Sequence, residues 1–393
     1  MNGALNNVKG IYMGIWAVIF GGMGIGAVVS LVFLWTRFQK FGIVGKIAGD
    51  KKWLRRVAAL FPMLIFIVFL CLDLINTVIV LVHMAIYWAL AELIARIIRK
   101  LRKKSQTEVD AAVKEKHIYI VGILVLCFEL IYFTAGWYLD HHVWETDYQL
   151  ETTKDLGMEN LRIAQVTDSH VCATFDGEGF AEHMKSIQAT QPDMLVITGD
   201  FVDDNTTKTD MIRSCQALKD FEAPLGKYFI YGNHDKGYFE YRDFTANDLE
   251  NYLADAGVVI LKDQVELINE KIYVVGRKDR SDPDREKIGD IISELDPSKY
   301  IIILNHQPND YEEEAASGAD LVLSGHTHGG QMFEINLLGA PLFGSNGRTY
   351  GIETRDKTTF IVSSGISDWA IKFKTGTKSE FCIIDLQMAQ IYK

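Results

Sequence analysis

Leu321-Val322-Leu323-Ser324-Gly325-His326-Thr327-His328-Gly329-Gly330-Gln331 decides how the second half of this 393-residue chain is read. A short apolar run closed by glycines reads as a buried strand ending in a turn. The two imidazoles are one residue apart, so in extended chain they point the same way. Flanked by glycines, they fit metal binding better than packing. Working outward, four more polar clusters stand at the ends of apolar runs. Asp168-Ser169-His170 follows Leu161–Thr167, and Gly199-Asp200-Phe201-Val202-Asp203 follows Met194–Thr198. Gly232-Asn233-His234-Asp235 follows Lys227–Tyr231, and Asn305-His306 follows Tyr300–Leu304. Ligand sites of open α/β sheets gather where strands end, so five such endings converge on one place.

Further strands are expected at Val258–Leu261, Ile272–Val275, Thr359–Ser363 and Glu380–Asp385. Helical periodicity is expected over Phe180–Ala189, Thr209–Leu218, Ala246–Asp255 and Arg285–Leu295. Thr245 with Asp248 resembles a capping box. Alternating strands and helices make an α/β layered fold, and the strand-rich tail makes its sheet mixed. Taken singly, each cluster has a bland reading: Gly-Asp as a turn, Asn-His-Asp as a satisfied polar network, His306 as a structural histidine. All of them would have to hold together, in order, along one chain.

The ordered series resembles the calcineurin-like metallophosphoesterases, and the Gly329-Gly330-Gln331 continuation is most similar to the membrane-associated YkuE-type subgroup. The resemblance covers about Leu161 to Leu386. It implies a layered mixed β-sheet domain and two divalent transition metal ions, Mn, Fe or Zn. Asp168, His170 and His328 would hold one, Asn233, His306 and His326 the other, with Asp200 bridging them. His234 would stay off the metals and face the phosphate, with Asp235 or Asp203 orienting its ring. Two cations about 3.5–4 Å apart can clamp an in-line displacement at phosphorus and supply a metal-bound hydroxide as nucleophile. The imidazole of His234 would add about 10²–10⁴-fold in rate. Cys172 is not needed to complete the set.

The first 140 residues are different in kind. They carry 16 Lys+Arg against 8 Asp+Glu, net +8, whereas the remainder carries 24 against 43, net −19. Ile11–Trp35, Val57–Ile98 and Ile118–Leu139 are long enough to cross a bilayer core of about 30 Å. The middle run, broken near Asp73 and Asn76, is long enough for two crossings, giving a four-helix transmembrane region. Basic residues gather after the first span (Arg37, Lys40, Lys46, Lys51, Lys52, Arg55, Arg56) and before the last (Arg99, Lys100, Arg102, Lys103, Lys104, Lys114, Lys116). Basic loops stay in the cytoplasm, so a multi-pass protein of the cell membrane is expected, its acidic domain on the extracytoplasmic side. His83 and Glu129 inside the spans read best as a helix-to-helix hydrogen bond.

The expected domains are thus 1–140 in the membrane, a polar linker over 141–159 and the metallophosphoesterase domain over 160–393. The acidic balance argues against a nucleic-acid partner, and none is expected, because backbone affinity comes from Lys and Arg. Arg277, Lys278, Arg280, Arg285 and Lys287, interleaved with acids, read as a solvated surface. Tyr238, Phe239, Tyr241, Trp369 and Phe373 could line a site or fill the core. The expectation is a membrane-anchored phosphodiesterase whose partners are the bilayer and a phosphoester, lipid-linked, cell-wall or extracellular. A phosphomonoesterase or nucleotidase on the same centre and a non-catalytic membrane interaction module are the alternatives.

Overall fold

The structure, a computed structural model, describes residues 21–103, 119–238, 241–337 and 348–389. Residues 11–20 of the first expected span, Lys104, Lys114, Lys116, Ile118 and Phe239 lie outside the described residues. The chain divides into two compact units, residues 1–134 and 135–393.

The first unit contains α1 (Gly21–Phe38), α2 (Gly42–Ala48), α3 (Lys52–Ala58), α4 (Leu64–Leu72), α5 (Leu74–Lys103) and most of α6 (Ile120–His141). Among the described residues, α1, α5 and α6 are long and apolar enough to cross a membrane. Of the four expected spans, three are long apolar helices and the fourth is not a long helix. The break does fall at Asp73, but it leaves α4 with nine residues, a rise of about 14 Å against the roughly 30 Å of a bilayer core. Asp73 ends α4 and starts α5 itself. Its side chain accepts from the Asn76 amide at 3.1 Å, and its carbonyl accepts from the Thr77 hydroxyl at 2.6 Å.

Several polar groups in this unit are paired. His83 Nδ1 lies 2.9 Å from Glu129 Oε2, joining α5 to α6 as expected. Glu92 accepts from Arg37 at 3.1 Å, from Lys40 at 2.6 Å and from the Tyr119 hydroxyl.

The second unit is α/β and layered. One six-stranded sheet has the order β1 (Val143–Thr152), β12 (Ser379–Met388), β2 (Asn160–Val166), β3 (Met194–Ile197), β4 (Lys227–Ile230), β5 (Val258–Leu261). The other runs β10 (Gly351–Arg355), β11 (Thr358–Val362), β9 (Leu321–Ser324), β8 (Tyr300–Leu304), β7 (Ile272–Gly276), β6 (Gln264–Ile268). β2 to β5 are mutually parallel, as are β7, β8, β9 and β11, whereas β12 against β2 and the edge strands β6 and β10 are antiparallel. Both sheets are therefore mixed.

The central strands are apolar on both faces because each face is covered. Ile163, Val196 and Ile230 of the first sheet pack with Val274, Ile302 and Leu323 of the second. The other face of the first sheet buries Phe180 and Met184 of α7 (Gly177–Gln188), Met211 and Leu218 of α8 (Lys208–Asp220), and Leu249 and Leu253 of α9 (Ala246–Asp255). Behind the second sheet, Ile288 and Ile292 of α10 (Ile288–Ile292) and Tyr311 of α11 (Tyr311–Ala316) do the same. The Thr245–Asp248 capping box is formed.

Two expectations change. The polar stretch 141–159 is not a linker throughout, since β1 pairs in parallel with β12 along ten residues. Trp144, Thr146, Tyr148 and Leu150 face inward while Glu145, Asp147, Gln149 and Glu151 face water, so this edge strand is polar on average. Nor is the basic cluster uniformly solvated. Arg277 is 2% exposed and pairs with Asp310 at 2.8 Å and Glu314 at 3.2 Å, and Arg285 shares Asp310 at 2.6 Å. Acids from the segment before and within α11 neutralise what the local sequence leaves as charge.

Candidate metal centre

The ends of β2, β3 and β4 in one sheet and of β8 and β9 in the other bring the five polar clusters together. The backbone there is unusual. Asp168, Asp200, His326 and His328 have φ of 52°, 51°, 70° and 47°, the left-handed region that costs a non-glycine residue energy. Strain of this kind persists where surrounding structure fixes it. Asp235 supplies much of that restraint: its carboxylate accepts from the amides of Asp200, Phe201, Val202 and Gly232 at 2.7–3.1 Å. Glycine is required beside it, because a Cβ on Gly232 would stand 2.1 Å from Asp200 Oδ1.

Two donor groups result. Asp168, His170 and His328 offer ligand atoms within 4.8 Å of one another, and so do Asp200, His306 and His326. Asp200 lies between the groups. Its Oδ2 is 3.6 Å from His170 Nε2 in the first and 3.0 Å from His306 Nε2 in the second. Its Oδ1 is taken by the backbone amide of His234 at 2.8 Å.

Most of these imidazoles are held from behind, which leaves Nε2 to face the centre. His306 Nδ1 is 2.8 Å from the Thr198 carbonyl, and His170 Nδ1 is 3.5 Å from Asp203 Oδ2. His328 Nδ1 is 3.2 Å from both the Ser367 carbonyl and Asp368 Oδ1. The amide of His326 donates to the Asp168 carboxylate at 2.9 and 3.0 Å.

Electrostatics suit cations. Burial, aided by a neighbouring imidazole, holds His326 and His328 down at about 4, so both are neutral, the form that ligates. Burial would lower His306 too, but the Asp200 carboxylate facing it pushes it up to about 10. Asp200 resists its own burial for the same reason and lies well below the carboxylate range. His170 Nε2 and Asn233 Oδ1 are buried acceptors without a hydrogen bond. A carboxylate-rich, imidazole-rich, thiolate-free set with such orphaned atoms fits hard or borderline divalent cations. Cys172 stands apart, its thiol on Asp210 Oδ2 at 3.4 Å.

His234, expected to face the phosphate, lies beside His170 with ring centroids 4.9 Å apart. Tyr238 and Trp369 flank it at 5.0 and 5.4 Å. The Tyr238 hydroxyl also accepts from Asn233 Nδ2 at 2.8 Å. Of the two carboxylates expected to orient the His234 ring, Asp203 lies 3.5 Å from His170 Nδ1 and Asp235 fastens the Gly199–Val202 turn. Sequence reasoning had no signal for Asp368 or the Thr198 carbonyl, whose roles come from distant segments.

The calcineurin-like phosphoesterase family matches residues 161–330. A metallophosphoesterase of Aquifex aeolicus (strain VF5) is 31% identical over 196 residues, covering 48% of this chain and 70% of its own. Metallophosphoesterase YkuE of Bacillus subtilis (strain 168) is 25% identical over 260 residues, 64% of this chain and 88% of its own. A Bos taurus transmembrane protein with metallophosphoesterase domain is 26% identical over 257 residues, 59% of this chain and 54% of its own.

Proposed function

This chain belongs to the calcineurin-like phosphoesterases, metal-dependent phosphoric ester hydrolases, and from that premise we propose a membrane-anchored dinuclear phosphodiesterase with its site outside the cytoplasm. The observation that carries the dinuclear reading is Asp200 Oδ2, which faces one imidazole of each donor group at 3.6 and 3.0 Å. Asp168, His170 and His328 would hold one cation, and Asn233, His306 and His326 the other. Divalent cations bound there supply Lewis acidity toward phosphoryl oxygens and acidify water.

The chain's own groups do the rest. Burial holds the His234 imidazole at about 4, so at neutral pH it is uncharged and acts by hydrogen bonding to a phosphoryl or leaving oxygen. Its backbone amide fixes Asp200 Oδ1, which keeps Oδ2 aimed at both groups. Asp203 keeps His170 in place, and Asp235 keeps the turn that carries Asp200. Tyr238 and Trp369, both partly exposed, flank His234 and would exclude water from one side of a bound ester. The extracytoplasmic placement is supported by the basic residues that follow α1 and end α5, with one further span, α6, before the acidic unit.

The test is metal analysis together with hydrolysis. Purified protein should hold two transition-metal ions per chain and turn over bis(p-nitrophenyl) phosphate faster than p-nitrophenyl phosphate. Asp200→Asn should lose metal and fall to the uncatalysed rate. A metal-free protein, or an Asp200→Asn variant as fast as wild type, overturns the reading; preference for the monoester converts it to a phosphomonoesterase.

A further inference from the structure

The segment that follows His328 carries little charge for an acidic domain. Residues 332–343 contain a single charged side chain, Glu334. Within it, residues 333–337 form a helical turn on which Phe333, Ile335 and Leu337 are 54%, 40% and 65% exposed. That turn is pinned to the metal-ligand loop, since Asn336 Nδ2 donates to the Gly329 carbonyl at 2.8 Å.

The same turn is fastened to the end of α6, whose last residues belong to the catalytic unit. The Phe333 amide donates to Thr375 Oγ1 at 3.1 Å, and the Thr375 amide donates to the Gln331 carbonyl at 3.0 Å. On its other side this strip meets Gly136: the Lys374 amide donates to the Gly136 carbonyl at 3.0 Å, and a Cβ at Gly136 would come within 2.7 Å of Thr375 Cγ2. The neighbours of Gly136 on the helix, Trp137 and Tyr138, are 50% and 51% exposed. Aromatic residues at the end of an apolar helix mark the level of the lipid headgroups.

We propose that Phe333, Ile335 and Leu337 form a docking surface for the lipid bilayer, entering the headgroup layer beside Trp137 and Tyr138. The occupant is lipid rather than a second chain because the patch is continuous, through Thr375 and Gly136, with a helix already suited to the membrane. An exposed apolar patch otherwise raises the free energy of a soluble domain, and burying it among acyl chains removes that cost. The consequence for catalysis rests on the phosphoesterase reading above. His328 is five residues from Phe333, so a ligand loop would stand within roughly 18 Å of that layer, and phosphoesters held in lipid would reach it without leaving the membrane.

The experiment uses the full chain in vesicles of phosphatidylethanolamine and phosphatidylglycerol. A benzophenone amino acid is installed in place of Phe333, of Leu337 or, as an exposed apolar control on β6, of Leu267 (45% exposed). After illumination, mass spectrometry should find lipid adducts at 333 and 337 several-fold above 267. Equal yields at the three sites, or adducts of 333 and 337 mainly to a second copy or another protein, overturn the proposal. Hydrolysis of bis(p-nitrophenyl) phosphate by the same preparations is scored separately. Lipid adducts without hydrolysis would sink the phosphoesterase reading and leave the docking surface standing.

Discussion

At the scale of single residues, the centre depends on atoms that are not ligands. Gly232 has no room for a methyl group beside Asp200 Oδ1, so Gly232→Ala should swing the Asp200 carboxylate, proposed as the bridge, away while the sheets stay folded. The expected result is loss of bound metal, read by elemental analysis, with an unchanged far-ultraviolet circular dichroism spectrum. Full metal occupancy in that variant would mean that Asp200 does not bridge. Asp368 acts at one remove, through His328 Nδ1. Asp368→Ala should weaken metal binding by about 10–100-fold, the usual effect of removing a group that orients a ligand, and a chelator titration measures it. His183 gives a separate, pH-dependent signal. Packed against Phe175 with ring centroids 4.9 Å apart, it has a pKa lowered by burial. Below about pH 6.5 the unfolded chain takes up a proton there that the folded domain refuses. Its share of stability is therefore present above that pH and lost as pH falls. His183→Gln should flatten the fall in melting temperature between neutral and mildly acid pH.

At the scale of elements, what the sequence reveals depends on how locally a segment is determined. β3, β8 and β9 are buried on both faces, so their apolar runs are legible without knowing the neighbours. The candidate ligands are legible for a related reason: parallel strands end in short loops, and the motif residues sit in those loops at fixed spacing. β1 was hidden because only alternate residues are covered, by β12 more than two hundred residues away in sequence. α4 was overextended because hydropathy counts apolar residues and ignores the cap that Asp73 makes with Asn76 and Thr77. Arg277 and Arg285 were misjudged because their acids arrive from Asp310 and Glu314. Lys374 illustrates the same blindness. It is fully buried, and its ammonium donates to the carbonyls of Ser364, Gly365 and Ser367 and to Ser379 Oγ at 2.8–3.3 Å, 3.5 Å from Asp368. Lys374→Met removes the cation that this segment is folded around. It should destabilise the catalytic unit by about 3–5 kcal/mol, as breaking a buried ion pair does, measured by denaturant unfolding.

At the scale of the whole molecule, the placement of the basic segments supports the proposed topology. The first 140 residues are net +8 and the remainder net −19, and basic segments resist translocation while an acidic domain does not. Arg37 to Arg56 follow α1, and Arg99 to Lys103 end α5; the proposed topology puts both segments on the cytoplasmic face, which requires residues 57–72 to return across the membrane before α5. On that topology α6 carries the chain out, as the one long apolar helix between that second basic segment and β1 among the described residues. Protease added to intact cells or right-side-out vesicles should therefore cut within residues 142–393, while inverted vesicles should protect them. The reverse pattern would place the metal centre in the cytoplasm and would require the basic segments to have crossed, which their charge opposes. Chelator treatment gives an independent reading of the same arrangement: a membrane-impermeant chelator outside intact cells should strip the metals and stop hydrolysis of an added soluble diester. Hydrolysis that persists there, yet stops once the membrane is permeabilised, would put the site on the inner face.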